Sequence, residues 1–190
     1  MEEKEMFYVT LNLNARFQPL DRGDLEDALS MILEKLDIGE VVGGGTMLFE
    51  NGEIQNCDIE MEIYKEKFDG NIELVFNKLS EITDQLGIPK QSKLICENAV
   101  HPVGKLEGLA FYANGTDLPE DVYKNCDINY VVEQMNQCMK EIGRFYSYWE
   151  GAKETALYFY GTSYEKMKDS IEKFVIEYPL CQKSRIEQIA

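Results

Sequence analysis

Residues 51–64 read Asn51-Gly52-Glu53-Ile54-Gln55-Asn56-Cys57-Asp58-Ile59-Glu60-Met61-Glu62-Ile63-Tyr64. Asn51-Gly52 accepts the positive φ angles of a tight hairpin turn. Beyond it, Cys57, Ile59, Met61 and Ile63 alternate with Asp58, Glu60, Glu62 and Tyr64. Successive side chains of a strand point to opposite faces, so this is a strand with one apolar and one acidic face. Residues 40–49 form the strand on the other side of the turn.

Working outward, residues 6–14 also alternate. Phe7, Val9, Leu11 and Leu13 face one way, and Tyr8, Thr10, Asn12 and Asn14 the other. A helix follows, with Asp24 as the expected N-cap and Leu25, Leu29, Ile32, Leu33 and Leu36 as its apolar stripe. Gly39 suits a left-handed position at its C-terminal end. Downstream of the hairpin, Ile72, Val75, Phe76, Leu79, Ile82 and Leu86 mark a second helix over 71–86, ended by Gly87 and Pro89. A short strand over 92–97 completes the order βαββαβ.

The order then repeats. A strand over 108–114 precedes a helix from about Asp127, striped by Ile128, Val131, Val132, Met135, Met139 and Ile142. Strands 144–149 and 155–160 flank a turn at Glu150-Gly151. Thr162 and Glu165 form a T-x-x-E capping box before a helix striped by Tyr164, Met167, Ile171, Phe174, Val175 and Tyr178. Residues 183–189 make the last strand. The βαββαβ order is the split βαβ, ferredoxin-like unit. The expected architecture is therefore α+β: two tandem ferredoxin-like repeats packed into one compact body. The first repeat spans 1–98, residues 99–105 act as a linker through His101-Pro102-Val103-Gly104, and the second repeat spans 106–190.

Composition narrows the function classes. The chain has 190 residues, 44% hydrophobic and 28% charged, which fits a globular protein and excludes disordered and fibrous classes. Lys and Arg number 19 against 35 Asp and Glu, a net charge of −16. Binding nucleic acid or an anionic membrane needs clustered Lys and Arg, so neither is expected. The acidity is uneven: residues 1–104 hold 21 acidic and 9 basic residues, and residues 105–190 hold 14 and 10. Five cysteines, Cys57, Cys96, Cys126, Cys138 and Cys181, include no CxxC pair, which argues against a disulfide framework or a zinc knuckle. The acidic opening Met1-Glu2-Glu3-Lys4-Glu5 does not read as a signal peptide. A reducing cytoplasm is the expected setting.

In a ferredoxin-like unit both helices cover one face of the sheet, so alternation yields an inventory of the other. In the first repeat it holds Tyr8, Thr10, Asn12, Asn14, Asp58, Glu60 and Glu62. The three carboxylates recur every second residue, ~7 Å apart. In the second repeat it holds Tyr112, Tyr146, Tyr148, Tyr158 and Tyr160. Tyrosine offers rigid apolar area with a polar tip, and is enriched at interfaces. Asp58, Glu60, Glu62 and these five tyrosines are the candidate partner-binding residues. Plain solvation of the acids, and packing of the repeats over the tyrosines, are the alternatives.

Catalytic readings are weaker. Gly43-Gly44-Gly45-Thr46 lacks the following helix and the Lys of a phosphate loop; a bulge or a close backbone approach fits better. The single histidine, His101, sits beside a proline, and no nucleophile motif adjoins it. Cys57 falls on an apolar face and reads as a small buried hydrophobe. Asp58, Glu60 and Glu62 have oxygen donors that suit Mg²⁺ or Ca²⁺, but one strand alone is a poor cage. No catalytic residue, metal or cofactor is assigned.

The stretch Gly39-Glu40-Val41-Val42-Gly43-Gly44-Gly45-Thr46, with Cys57-Asp58-Ile59-Glu60 after it, resembles an uncharacterised bacterial family of tandem ferredoxin-like proteins. So does Glu154-Thr155-Ala156-Leu157-Tyr158-Phe159-Tyr160-Gly161, running on to Tyr178-Pro179-Leu180-Cys181. The resemblance covers both repeats and implies no activity. In acidity and size the chain is similar to immunity proteins, which inhibit basic nuclease toxins. The expected function is non-catalytic binding of a basic protein partner, with a small-molecule sensor or enzyme, its pocket between the repeats, as the alternative. Homodimerisation through the tyrosine face stays open.

Overall fold

The computed structural model describes residues 5–190; residues 1–4, which open the acidic N-terminus, lie outside the described residues. The chain divides into two compact units. One holds the described residues up to Met47 together with Gln55–Lys105; the other holds Leu48–Ile54 together with Leu106–Ala190.

The first unit is built on β1 (Met6–Leu13), α1 (Pro19–Leu36), β2 (Gly39–Leu48), β3 (Ile54–Tyr64), α2 (Ile72–Leu86), β4 (Ser92–Cys96) and β5 (Ala99–Val103). The strand order is β2-β3-β1-β4-β5. β1 runs antiparallel to both β3 and β4, with Leu11 opposite Ile59 and Leu94. Val9, Leu11, Leu13, Cys57, Ile59, Met61 and Ile63 are buried, as are Leu29 and Leu33 of α1 and Val75, Phe76, Leu79 and Ile82 of α2. The apolar halves of the alternating strands and the helical stripes thus form one core, as the sequence pattern predicts.

The second unit contains β6 (Glu107–Asn114), α3 (Glu120–Asn125), α4 (Ile128–Cys138), β7 (Gly143–Glu150), β8 (Glu154–Gly161), α5 (Tyr164–Glu177) and β9 (Arg185–Gln188). Its sheet has the order β7-β8-β6-β9. Leu109, Phe111, Leu157 and Phe159 pack with Val131, Met135 and Met139 from α4 and with Met167 and Ile171 from α5. Both units carry the ferredoxin-like βαββαβ order, and the first adds a fifth strand.

That strand corrects the linker expected at 99–105. β5 pairs antiparallel with β4, Leu94 opposite His101 and Lys93 opposite Pro102. Pro102 read as a breaker, yet proline is tolerated on an edge strand, where a missing N–H costs no ladder bond. Gly104 follows with φ 99°, and a Cβ there would come 1.9 Å from the Pro89 carbonyl oxygen. Helix ends differ too. α1 begins earlier than Asp24, at Pro19, whose fixed φ suits the first turn. It ends on Asp37 in the left-handed region, whereas Gly39 opens β2. The residues expected as a loop before Asp127 include α3. Ser163, not Thr162, caps α5, accepting from the Lys166 amide. The helix ends read at Asn71, Gly87 and Asp127 hold, and Asn71 and Asp127 cap their helices through their side chains. Among the described residues no helix is long and apolar enough to cross a membrane.

Candidate partner-binding surfaces

β1 and β3 place the acidic set. Their register puts Tyr8 opposite Glu62, Thr10 opposite Glu60 and Asn12 opposite Asp58. Directly paired residues share a face, so all six side chains stand on the face opposite the core. Glu60 is exposed, and Asp58 and Glu62 are half-buried. Asp58 is held in place: Asn12 Nδ2 donates to its Oδ1 at 2.6 Å. Tyr8 is 69% exposed at one end of the row. Across β1 the face continues through half-buried Ile95, opposite Thr10, to Val100 on β5, which is also exposed. The result is an acidic centre with apolar side chains at its rim.

The glycine triplet has a structural role on this sheet. A Cβ on Gly43 would come 3.2 Å from Glu60 Oε2, so the carboxylate leans over β2. A Cβ on Gly44 would point the other way, 2.2 Å from Glu26 Oε1 of α1. There Arg22 Nε donates to Glu26 at 2.7 Å and Arg22 Nη1 to Thr46 Oγ1 at 2.5 Å. Gly44 thus leaves room for the Arg22–Glu26 pair against the sheet.

The second sheet's outer face is organised differently. Tyr112, Tyr158 and Tyr160 are buried, and Tyr146 is half-buried. Tyr112 and Tyr158 hydroxyls both donate to Glu53 Oε1, at 2.6 and 2.8 Å. Glu53 is itself buried and lies in Leu48–Ile54, the segment that belongs to this unit. The Arg185 guanidinium lies 3.4 Å from the Tyr112 ring centroid, and its Nη2 donates to Glu154 at 2.6 Å. These contacts hold the Arg185 guanidinium well above its ordinary pKa: the Glu154 and Glu187 carboxylates outweigh its desolvation, the largest single influence. Tyr146 packs edge-on to Tyr160, with Arg144 over its ring.

Tyr148 corrects the simple alternation. β7 carries a bulge between Phe145 and Ser147, so Ser147 faces Tyr158 and Tyr148 faces Leu157. One extra residue moves every later side chain to the opposite face. Tyr148 therefore turns to the helix side, where it is half-exposed and lines a cleft of about 340 Å³ with Ile128, Val132, Phe145 and Leu157. A second cleft of about 320 Å³, bordered by Tyr123, Cys126, Asp127 and Leu180, lies beside it. Of the five tyrosines, none is both exposed and on the outer face.

The remaining candidates resolve as packing. His101 stacks on Phe76, ring centroids 5.4 Å apart. Cys57 is fully buried against the Phe17 and Ala15 carbonyl oxygens, and burial pushes its thiol pKa up, away from nucleophilic use. Sequence reading passed over Glu53, Arg144 and Arg185. Nothing local marks Glu53, whose tyrosine partners lie 59 and 105 residues away.

No protein-family model and no curated protein matches this chain. Among solved structures, it aligns with an unknown protein from Galdieria sulphuraria at 13% identity, covering 98% of each chain, with a TM-score of 0.30. It aligns with a candidate monooxygenase from Fusobacterium nucleatum at 8% identity, covering 99% of this chain and 92% of that one, with a TM-score of 0.31. It also aligns with the first two RRM domains of the yeast poly(U)-binding protein at 14% identity, covering 98% and 99%, with a TM-score of 0.25. Likenesses at these scores carry no weight for function.

Proposed function

We propose that the protein is a non-catalytic binding module whose first repeat docks a basic protein partner on its open sheet face, occluding it as an immunity-type inhibitor would. One observation carries this reading: Asp58, Glu60 and Glu62 stand together on an exposed sheet face, with Tyr8 and Val100 exposed at its rim. The surrounding half of the chain is the more acidic one, so its field attracts a basic partner from a distance and raises the on-rate. Tyr8 and Val100 supply apolar area that loses water on docking. The buried tyrosines of the second repeat stiffen that unit and are not anchors. Five free thiols fit a reducing cytosol.

The test is affinity capture at low and high salt, with the Asp58→Asn, Glu60→Gln, Glu62→Gln triple variant run in parallel. A basic protein retained by the parent, released by salt and lost from the variant supports the reading. The same retained set from both proteins overturns it.

A second reading rests on the 340 Å³ cleft. Its lining combines apolar Ile128, Val132, Phe145 and Leu157 with polar Asn129, Glu150 and Thr155, a mixture suited to a small organic ligand. Thermal-shift screening of the parent against Val132→Trp, which fills the cleft, checks it. A stabilising compound that loses its effect on the variant favours this reading.

A further inference from the structure

We infer that the free edge of β2 takes up an extended, basic segment of the partner as an added strand; the occupant's charge rests on the acidic-face reading above. A sheet edge presents unpaired N–H and C=O groups, and folded proteins usually block it with proline, charge, a bulge or shortness. Among the described residues, three of the four sheet edges are blocked in these ways. β5 carries Pro102. β7 carries the bulge at Tyr146 and two charged residues. β9 has four residues, including Arg185 and Glu187. β2 differs in composition and length: ten residues with no proline, no lysine and one charge, Glu40, near its start. Its apolar side chains are left uncovered, Val42 at 50% and Met47 at 55% exposure.

The chemistry of the occupant follows from what stands beside that edge. Glu60 leans over Gly43, so its carboxylate lies above β2, one strand spacing of about 4.8 Å from an added strand. Gly45 has open space where its side chain would be. A Lys or Arg on the added strand lies across these glycines and meets Glu60. The alternate side chains face the other way and cover Val42. Main-chain bonds supply affinity and the alternating contacts supply specificity, as in other strand-addition complexes. A second copy of this chain is a poor occupant, since it brings a second acidic strand and face beside the first.

Two capped ten-residue peptides, alternating Lys-Val and alternating Lys-Pro, have equal charge, but only the first donates a full set of ladder bonds. The proposal expects the Lys-Val peptide to bind at least tenfold more tightly and to slow hydrogen exchange of amides within 39–48. Gly45→Lys, whose Cβ would meet nothing within 4 Å, should weaken that binding at least tenfold. Equal, salt-sensitive binding of both peptides, with shifts at Thr10, Asn12 and 58–62 and no protection of β2, overturns strand addition and leaves the acidic-face reading standing. No salt-sensitive binding of either peptide overturns both. A dimer in sedimentation, with β2 amides protected and peptide excluded, overturns the choice of occupant.

Discussion

Tyr158 donates its phenolic hydrogen to Glu53 Oε1 at 2.8 Å, joining residues 105 positions apart within a buried site. Tyr112 donates to the same oxygen at 2.6 Å. A buried carboxylate is costly unless hydrogen-bonded, and these two hydroxyls offset that cost. Glu53→Ala removes a shared acceptor from two buried donors. It should lower unfolding free energy by about 1–3 kcal/mol, read from urea denaturation. An unchanged midpoint would show that the network contributes nothing.

The β7 bulge makes a sharp prediction about deletions. Removing Tyr146 leaves Phe145 opposite Phe159 and Ser147 opposite Tyr158, so the ladder closes without changing any other face. The loss includes the Tyr146–Tyr160 and Arg144–Tyr146 ring contacts, about 1–2 kcal/mol. Removing Ser147 instead forces Tyr146 opposite buried Tyr158 and should cost clearly more. Thermal melts of the two deletions should rank in that order.

Glycines of β2 should respond unequally to alanine. At Gly39 the new Cβ would meet the Glu62 carbonyl oxygen at 2.3 Å, which forces the backbone to move. The expected loss is about 1–3 kcal/mol. At Gly45 nothing lies within 4 Å, so alanine should change stability by less than about 0.5 kcal/mol. Chemical denaturation of both variants checks the contrast.

The Asp58→Asn, Glu60→Gln, Glu62→Gln variant should fold normally. The amide oxygen that Asp58→Asn introduces still accepts from Asn12, and all three side chains stay off the core face. Relieving like charges should leave its melting temperature at low salt equal to or slightly above the parent's. The difference should vanish above ~0.15 M salt, where the screening length is about 8 Å. A marked drop in melting temperature would mean that these carboxylates are structural.

Buried thiols predict alkaline sensitivity. Burial pushes the Cys181 thiol from its ordinary 9.0 up to about 12, and raises Cys57 as well. The folded state therefore holds these protons more tightly than the unfolded chain. Their contribution is complete below pH 9 and is lost as pH rises from there toward 12. Cys181→Ala should flatten the fall in stability across that window relative to the parent. Thiol titration of denatured, unreduced protein should find five free groups, whereas in the native protein exposed Cys138 and half-exposed Cys126 should react first.

What was legible in the sequence is what short-range periodicity encodes. Leu11 and Ile59 face the core because every second residue must, and Asn71 and Gly87 bound α2 because a polar cap and a left-handed residue end a helix locally. The acidic face over Asp58, Glu60 and Glu62 was legible for the same reason. Other features needed the third dimension. One extra residue at Tyr146 leaves the apolar pattern of its strand looking regular, and only the pairing with β8 shows that Tyr148 has changed face. Residues 99–103 read as a linker because of Pro102 and the Gly104 that follows, and become a strand because the edge of β4 offers them unpaired backbone groups. Glu53 sits beside a turn, where carboxylates are usually solvated. Tertiary structure alone buried it, because the hydroxyls that make burial tolerable come from strands far along the chain.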